Sequence, residues 1–169
     1  MDIENAYQQA LDFLYSFVDY SLTRAFRYSP ENFDLSRMSK LLDMLDNPQK
    51  KYKVIHLAGT KGKGSTASFI ANSLVQAGYQ VGFYSSPHLV EFNERIQVNG
   101  QRIPKESLVR IVEKLKPLAE EVKRITTFEL TTAAAFLYFV ETHVDIAVVE
   151  VGLGGRLDAT NLVDPLVAV

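Results

Sequence analysis

The segment Val54-Ile-His-Leu-Ala-Gly59-Thr-Lys-Gly-Lys63-Gly-Ser-Thr66 passes from a short apolar run into glycines, lysines and hydroxyl side chains. Residues 54–57 have the composition of a buried strand. The apolar residues that follow recur at helical spacing as far as Gly78, a typical helix stop; they are Ala67, Ile70, Ala71, Leu74 and Val75. The segment therefore predicts a strand, a glycine-rich loop and a helix, in that order.

A loop in this position can bind a phosphate group. Gly59, Gly62 and Gly64 let backbone amides approach an anion, and the helix N-terminus adds a partial positive charge. Lys63 would then bridge the outer phosphates of a nucleoside triphosphate. The match to the P-loop pattern G-x-x-x-x-G-K-[ST] is imperfect, since Leu57 stands at the first glycine and Gly64 follows the lysine. The strand before it and the helix after it favour a phosphate loop over a surface turn with solvated lysines.

The composition predicts one folded domain and excludes several kinds of protein. With 169 residues, of which 47% are hydrophobic and 22% charged, the chain has enough apolar material for a core. It has no cysteine, which excludes disulfide frameworks and thiolate metal sites. The net charge of −2 provides no basic field, so we expect neither nucleic acid nor a membrane as partner. The acidic N-terminus is unlike a secretory signal, and the longest apolar run, residues 133–140, is far shorter than the roughly 20 residues that span a bilayer. We expect a cytoplasmic protein.

Helix and strand patterns alternate along the chain. Helices are predicted at residues 3–18, 34–45, 104–124 and 128–142, and strands at 54–57, 80–84, 145–151 and 166–169, with a loop at 20–30. Asp34 is predicted to cap the second helix, and Pro117 to interrupt or kink the third. Helices that alternate with continuously apolar strands predict a P-loop-containing α/β fold with a mostly parallel sheet and helices on both faces.

A small hairpin is predicted at residues 95–103. Asn99-Gly100 separates two short strand patterns, and this pair tolerates the positive φ angles of a type I′ turn. We expect the hairpin to project from the main body.

Two polar side chains follow predicted strands and could hold a metal ion. Glu150 ends the apolar run 146–149, and ligands of open parallel sheets gather beyond the carboxyl ends of the strands. A carboxylate near a phosphate loop can hold Mg²⁺, which prefers oxygen ligands. Ser86 ends the strand that comes next after the loop, and its hydroxyl could reach the same ion. The plainer alternatives are a water-exposed glutamate and a simple Ser-Pro turn.

The three histidines do not form a recognisable site. His88 alone is typical of a solvated loop residue, and His56 and His143 of structural or surface positions. They are too scattered to argue for a Ser/His/Asp triad or a histidine metal cluster.

Five spaced motifs together resemble the folylpolyglutamate synthase/dihydrofolate synthase family of the Mur ligase superfamily. They cover the chain almost from end to end in family order, and are Gly59-Thr-Lys-Gly-Lys-Gly-Ser-Thr66, Tyr84-Ser-Ser-Pro-His-Leu89, Asn93-Glu-Arg-Ile96, Thr126-Thr-Phe-Glu129 and Glu150-Val-Gly-Leu-Gly-Gly-Arg-Leu-Asp-Ala-Thr-Asn161. The family commonly has Asn where Lys61 stands, although Lys also occurs there. Five motifs are far more specific than the glycine loop alone.

The resemblance implies a ligase that uses ATP to phosphorylate a carboxylate and then replaces the phosphate with the amine of L-glutamate. The acceptor would be dihydropteroate, a folate or both, and the family is monomeric. Carried over by position, Ser86 and Glu150 would hold Mg²⁺ and Lys63 would stabilise the transferring phosphoryl group. The ATP phosphates would be bound by Gly59, Thr60, Lys61, Gly62, Lys63, Gly64, Ser65 and Thr66. The pterin substrate would be bound by Thr126, Thr127, Phe128, Glu129, Leu157, Asp158 and Ala159.

The resemblance also implies parts that lie outside these 169 residues. In the family a further metal-binding histidine, a carbamylated lysine and a smaller C-terminal domain lie downstream. The chain stops inside its last predicted strand, whereas chain termini usually lie in tolerant surface segments. We therefore expect residues 1–169 to be the N-terminal part of the ATP-binding domain of a longer protein, and to be inactive alone.

Two other functions remain open from the residues. The chain could belong to a different P-loop enzyme, such as a small-molecule kinase, which would transfer phosphate without glutamate. It could also be a truncated nucleotide-binding module without catalytic activity.

Overall fold

The computed structural model describes residues 2–18 and 34–169, so the loop predicted at residues 20–30 lies outside the described residues. Within these ranges there are five α-helices and six strands. The helices are α1 (Ile3–Tyr15), α2 (Leu35–Met44), α3 (Lys63–Gln76), α4 (Lys105–Glu121) and α5 (Thr127–Glu141). The strands are β1 (Lys53–Leu57), β2 (Val81–Tyr84), β3 (Ile96–Val98), β4 (Gln101–Arg102), β5 (Ile146–Glu150) and β6 (Val167–Ala168).

The strands form one mixed sheet in the order β4-β3-β2-β5-β1-β6. Strands β2, β5, β1 and β6 are parallel, whereas β3 and β4 are antiparallel to their neighbours. Strand β5 is buried along its whole length because it lies between β1 and β2 and is covered on both faces. This confirms the predicted α/β fold with a mostly parallel sheet.

Helices cover both faces of the sheet. Helix α3 packs on one face, where Leu57, Val148 and Ala67 meet in a small apolar cluster. The other four helices contribute to a larger cluster on the opposite face, which includes Val54 and Val149 from the sheet. Helix α5 is buried on nearly every side because it lies in the middle of that larger layer, as its apolar composition predicts.

The predicted hairpin forms, but the prediction that it projects from the body is wrong. Asn99 and Gly100 have φ angles of 50° and 75°, as a type I′ turn requires. Strand β3 pairs antiparallel with β2, and Asn99 Oδ1 accepts a hydrogen bond from the backbone N–H of Val81 at 2.8 Å. The hairpin therefore extends the main sheet, because β2 has an open edge on that side.

Of the interruption or kink predicted at Pro117, the interruption is absent, because α4 runs through that residue from Lys105 to Glu121. Proline removes one backbone donor from a helix. The buried face of α4, which includes Leu108, Ile111 and Leu115, packs against the rest of the core and favours the continuous helix. Tertiary packing here outweighs the local preference of proline.

The remaining elements differ from the prediction only at their ends. Asp34 caps α2 as predicted, since its side chain accepts hydrogen bonds from the backbone N–H of Ser36 at 2.8 Å and from the Ser36 hydroxyl at 2.6 Å. The apolar run at residues 166–169 does form a strand, β6, but at the sheet edge, where Val167 is exposed. No helix in the described ranges is long and apolar enough to cross a membrane.

Candidate functional site

Three strands of the sheet end close together, and each leads into a segment singled out by the sequence. Strand β1 leads into the glycine loop, β2 into Ser86, and β5 ends at Glu150. Because β5 lies between β1 and β2, its carboxyl end is flanked by the other two. This is the edge at which open α/β sheets bind their ligands.

The glycine loop leaves backbone groups exposed in front of α3. Residues 58–62 are exposed, and Gly62 has a φ of 77° at the N-cap of the helix. A glycine adopts this left-handed angle without steric cost. Lys63 is the first residue of α3 and is half-buried. The N–H groups of the first turn of α3, which find no carbonyl partner within the helix, and the Lys63 ammonium together suit an anion.

Glu150 faces this loop from the neighbouring strand. The residue is buried, and its Oε2 accepts a hydrogen bond from the backbone N–H of Ser86 at 3.3 Å. A Cβ placed on Gly64 would lie only 3.4 Å from Glu150 Oε2, so the carboxylate lies against the first turn of α3. Burial raises the pKa of Glu150, and the Ser86 N–H, the Lys63 charge and the Gly64 N–H oppose that rise. Glu150 is therefore not the water-exposed strand end that the sequence left open.

The side chains at these strand ends are compatible with Mg²⁺. The residues described contain no group of three or more His, Cys, Asp or Glu side chains able to hold a metal. Mg²⁺ does not need such a cage, because it is commonly held by one or two protein oxygens together with substrate phosphates and water. Glu150 supplies a carboxylate, and Ser86, whose backbone N–H lies 3.3 Å from Glu150 Oε2, carries a hydroxyl at the same strand end. These two residues fit the ion.

Thr126 and Glu129 begin helix α5 with a reciprocal capping box. The Thr126 hydroxyl accepts from the backbone N–H of Glu129, and Glu129 Oε2 accepts from the backbone N–H of Thr126 at 2.8 Å. Arg37 of α2 also donates to Glu129 Oε1 at 3.2 Å, and both side chains are nearly buried. Burial raises the pKa of Glu129, while the Arg37 charge and the Thr126 hydrogen bonds lower it. These polar groups therefore fix the start of α5.

Thr127 joins the same helix start to the end of α1. Its hydroxyl donates to the backbone oxygens of Leu14 at 2.8 Å and Phe17 at 3.1 Å, and it is fully buried. Val18 accepts from the backbone N–H of Thr127 and forms a parallel bridge with Thr126. The side chain of Thr127 is thus occupied inside the fold, and substrate contact by the Thr126 and Thr127 side chains stays a prediction.

Phe128 is the least buried residue of the segment Thr126–Glu129. It is only partly buried, and its ring lies 6.2 Å from the ring of Tyr84, which directly precedes the Ser85-Ser86 segment. A Cβ on Gly152 would lie 2.4 Å from the Phe128 ring, so a glycine is needed there for the ring to pack. Phe128 therefore links the start of α5 to the segment that follows Glu150.

Asp158 holds that segment in shape from within. Its Oδ2 accepts from the backbone N–H of Leu153 at 2.8 Å, and its Oδ1 accepts from the N–H and the hydroxyl of Thr160 at 3.0 and 2.6 Å. Asp158 and Ala159 are buried, whereas Leu157 is half-buried. Binding of a substrate by these residues is a prediction that the geometry leaves untested.

Three residues that shape the site were not predicted from the sequence, namely Arg37, Gly152 and Thr160. Each acts through a contact with a residue far away in the chain: Arg37 with Glu129, Gly152 with Phe128, and Thr160 with His56. Local spacing carries no signal for such pairs. The acidic position three residues after Thr126 was a usable signal for the capping box.

The histidines agree in part with the expectation. His56 is buried and His143 is exposed, consistent with structural and surface roles. His88 is not fully solvated, since its Nδ1 accepts a hydrogen bond from Arg95 Nε at 2.9 Å. Burial and the Arg95 charge both lower the pKa of His88, with burial the larger cause.

Known proteins of similar sequence and structure identify the family. No family model matches the chain. The chain is 49% identical over 141 residues to the dihydrofolate synthase/folylpolyglutamate synthase of Bacillus subtilis, an alignment that covers 80% of this chain and 33% of that protein. A Mycobacterium tuberculosis folylpolyglutamate synthase, solved with ADP and AMPPCP, matches with a TM-score of 0.87 and 33% identity over 99% of this chain and 36% of that one. An FPGS complex with AMPPCP and folate matches with a TM-score of 0.84 and 38% identity, over 96% of this chain and 39% of that one.

The chain spans about a third of the length of these relatives. The match to the Mycobacterium tuberculosis structure covers 99% of this chain, and therefore nearly all of the described fold. Identity of this size over the whole fold goes well beyond a shared architecture. The chain belongs to the folylpolyglutamate synthase/dihydrofolate synthase family and corresponds to the N-terminal portion of its members.

Proposed function

We propose that the chain provides the ATP-binding and carboxylate-substrate-binding part of a ligase that adds L-glutamate to dihydropteroate, to folates or to both. The observation that carries the proposal is the meeting of Lys63, Glu150 and Ser86 at one sheet edge, in front of the N-terminus of α3. Relatives bearing the names of such ligases, and one complex with an ATP analogue and folate, support this function over a small-molecule kinase. The proposal includes Mg²⁺, a cytoplasmic location and a monomer, and it assigns residues 1–169 to the ATP-binding domain of the Mur ligase type.

The site residues suit the first step of this reaction, in which a substrate carboxylate oxygen bonds to the γ-phosphorus of ATP and ADP leaves. Lys63 and the N–H groups of α3 stabilise the charge on the phosphoryl oxygens. Glu150 and Ser86 would hold Mg²⁺, which neutralises phosphate charge and orients the leaving group when bound. In the second step the amine of L-glutamate attacks the acyl carbon and phosphate leaves, so that an amide bond forms.

Phosphate binding by the loop is tested by calorimetric titration of the chain with MgATP. Lys63→Ala removes the ammonium in front of α3, and we expect it to weaken MgATP binding by at least about tenfold. Lys50→Ala is the matched control. Lys50 is exposed and lies before the amino-terminal end of β1, whereas the glycine loop follows the carboxyl end of that strand. Equal binding by wild type and Lys63→Ala would contradict the assignment of the loop.

The acceptor is tested by a parallel titration with dihydropteroate and with folate. Phe128→Ala should weaken binding of the pterin ring without changing the affinity for MgATP, because the ring of Phe128 packs beside Tyr84 and Gly152. A chain that binds MgATP but neither pterin compound would favour a different P-loop enzyme.

A further inference from the structure

A buried chain of hydrogen bonds connects the central sheet to the segment that follows Glu150. His56 lies in β1, and its Nε2 is 2.8 Å from Thr160 Oγ1. Thr160 Oγ1 is in turn 2.6 Å from Asp158 Oδ1. The exposed fractions of His56, Thr160 and Asp158 are 8%, 0% and 4%, so the path is shielded from water throughout.

The direction of these hydrogen bonds follows from the groups involved. A hydroxyl has one proton, and Thr160 donates it to the Asp158 carboxylate. Thr160 Oγ1 must therefore accept from His56, which requires a proton on Nε2 of the imidazole. Burial lowers the pKa of His56, with Asp158 opposing this effect, so the neutral ring with its proton on Nε2 is favoured.

Asp158, at one end of this hydrogen-bond network, determines the shape of the segment 152–158, which we call the Gly152 segment. Asp158 Oδ2 accepts from the backbone N–H of Leu153, near the start of the segment, so the two ends are held together. The segment starts two residues after Glu150, and Gly152 packs on the ring of Phe128. Movement of Asp158 would therefore displace the Gly152 segment and change its packing against Phe128.

We propose that His56 is a positioning residue which, through the Thr160 hydroxyl, orients Asp158 and the Gly152 segment for binding of the pterin-bearing carboxylate substrate. This inference rests on the proposed function. It assigns His56 no contact with substrate, because Thr160 separates the imidazole from Asp158. We expect the substrate to be the group affected, rather than ATP, because Asp158 holds Leu153, and the neighbouring Gly152 packs on the ring of Phe128.

The test compares four variants of the chain. Thr160→Val removes the hydroxyl at nearly constant shape, and Thr160→Ser restores it. His56→Phe removes the donor and leaves Thr160 and Asp158 in place. Thr131→Val is the matched control, because the Thr131 hydroxyl is fully buried and donates to Thr127 O within helix α5.

Two measurements are made on each folded variant. Hydrogen exchange of the Leu153 amide reports the order of the Gly152 segment, since that N–H donates to Asp158. Calorimetry gives the dissociation constants for dihydropteroate and for MgATP separately. For Thr160→Val and His56→Phe we expect exchange at Leu153 to accelerate and the dissociation constant for dihydropteroate to rise, each by about tenfold, the effect of one lost hydrogen bond. The constant for MgATP should stay within about twofold, and Thr160→Ser and Thr131→Val should behave as wild type.

Each other outcome decides against the inference. Unchanged exchange at Leu153 would show that the network does not hold the segment. Faster exchange with equal losses for dihydropteroate and MgATP, or failure of both Thr160→Val and His56→Phe to fold while Thr131→Val folds, would show a purely structural role. If the wild-type chain binds MgATP but no pterin compound, the proposed acceptor and the substrate-positioning role both fail. Hydrogen exchange at Leu153 is independent of that result, and unchanged exchange in the variants would by itself exclude the effect of His56 on the Gly152 segment.

Discussion

At the scale of single residues, Glu150 owes its properties to where its strand ends. The run before it is apolar and buried, so the carboxylate emerges beside the first turn of α3 and the N–H of Ser86. Burial raises the pKa of its carboxyl, and only nearby N–H groups and Lys63 oppose this in the described structure. A divalent cation would add a much stronger opposing charge.

Glu150→Gln tests whether this carboxylate supports metal binding. Glutamine keeps the size and can still accept from Ser86, but it has no negative charge for Mg²⁺. We expect the gain in ATP affinity on adding Mg²⁺ to shrink by about tenfold or more relative to wild type. The measurement is calorimetric titration with ATP in the presence of Mg²⁺ and in the presence of a chelator. Glu141→Gln, at the remote end of α5, is the control. An unaltered Mg²⁺ dependence in Glu150→Gln would mean that Glu150 does not bind the metal.

Because burial lowers the pKa of His56, we expect the free energy of unfolding to depend on pH. Its pKa in the folded chain lies below the usual 6.5, so below that pH the unfolded state binds more protons than the folded state. Wild type should therefore lose stability relative to His56→Gln as pH falls through this range, by at most about 1.4 kcal/mol for each pH unit. Urea unfolding of both chains at pH 7.5 and pH 5.5 measures the difference. The same difference at both pH values would mean that His56 is not held in its neutral form.

At the scale of secondary-structure elements, the start of α5 is the point where distant parts of the chain are joined. Thr127 donates a hydrogen bond to the end of α1, and Glu129 pairs with Arg37 of α2. The ring of Phe128 packs against Gly152. Helix α5 itself needs no such partners to be buried, because most of its side chains are apolar. The polar groups at its first turn therefore set its position along the sheet rather than its existence.

Gly152→Ala tests the packing between this helix start and the segment after β5. The added methyl group would lie 2.4 Å from the Phe128 ring, too close for any real contact, so the ring or the segment must move. We expect a loss of about 1 to 3 kcal/mol in the free energy of unfolding, measured with urea. The double change Gly152→Ala with Phe128→Leu should recover part of that loss, because a smaller side chain leaves room for the methyl. No recovery would mean that another contact of Gly152 causes the loss.

At the scale of the whole molecule, the two layers on the sheet are unequal. The layer that contains α5 buries side chains from four helices, whereas α3 alone forms the opposite layer among the described residues and leaves Phe69 exposed. Local opening costs less where fewer apolar contacts must be broken. Stability should therefore differ between the two faces.

Native-state hydrogen exchange measures this difference. We expect amides in the middle of α5 to exchange only through global unfolding, and amides in the middle of α3 to exchange at least about tenfold faster. The measurement is made at low denaturant by following both helices in the same sample. Equal protection of the two helices would mean that the sheet and its layers unfold as one unit.

The order of local elements and the glycine loop were predictable from the sequence because their causes are local. Apolar spacing, the cap at Asp34 and the Asn99-Gly100 turn act between residues a few positions apart. The same reasoning found Glu150 and Ser86 as candidates, since strand ends follow from the pattern. It was wrong where nonlocal packing decides, as in the hairpin that pairs with β2 instead of projecting and in the interruption of α4 that does not occur at Pro117.

The sequence by itself determined which segments become strands and helices, which residues make up the glycine loop, and the family to which the motifs belong. Only the tertiary structure decided that β5 lies between β1 and β2, which brings Glu150 to the loop. It alone paired Arg37 with Glu129 and His56 with Thr160, across 92 and 104 positions of the chain. The physical reason is that such contacts depend on the order of strands in the sheet and on the closing of long loops, neither of which leaves a trace in local spacing.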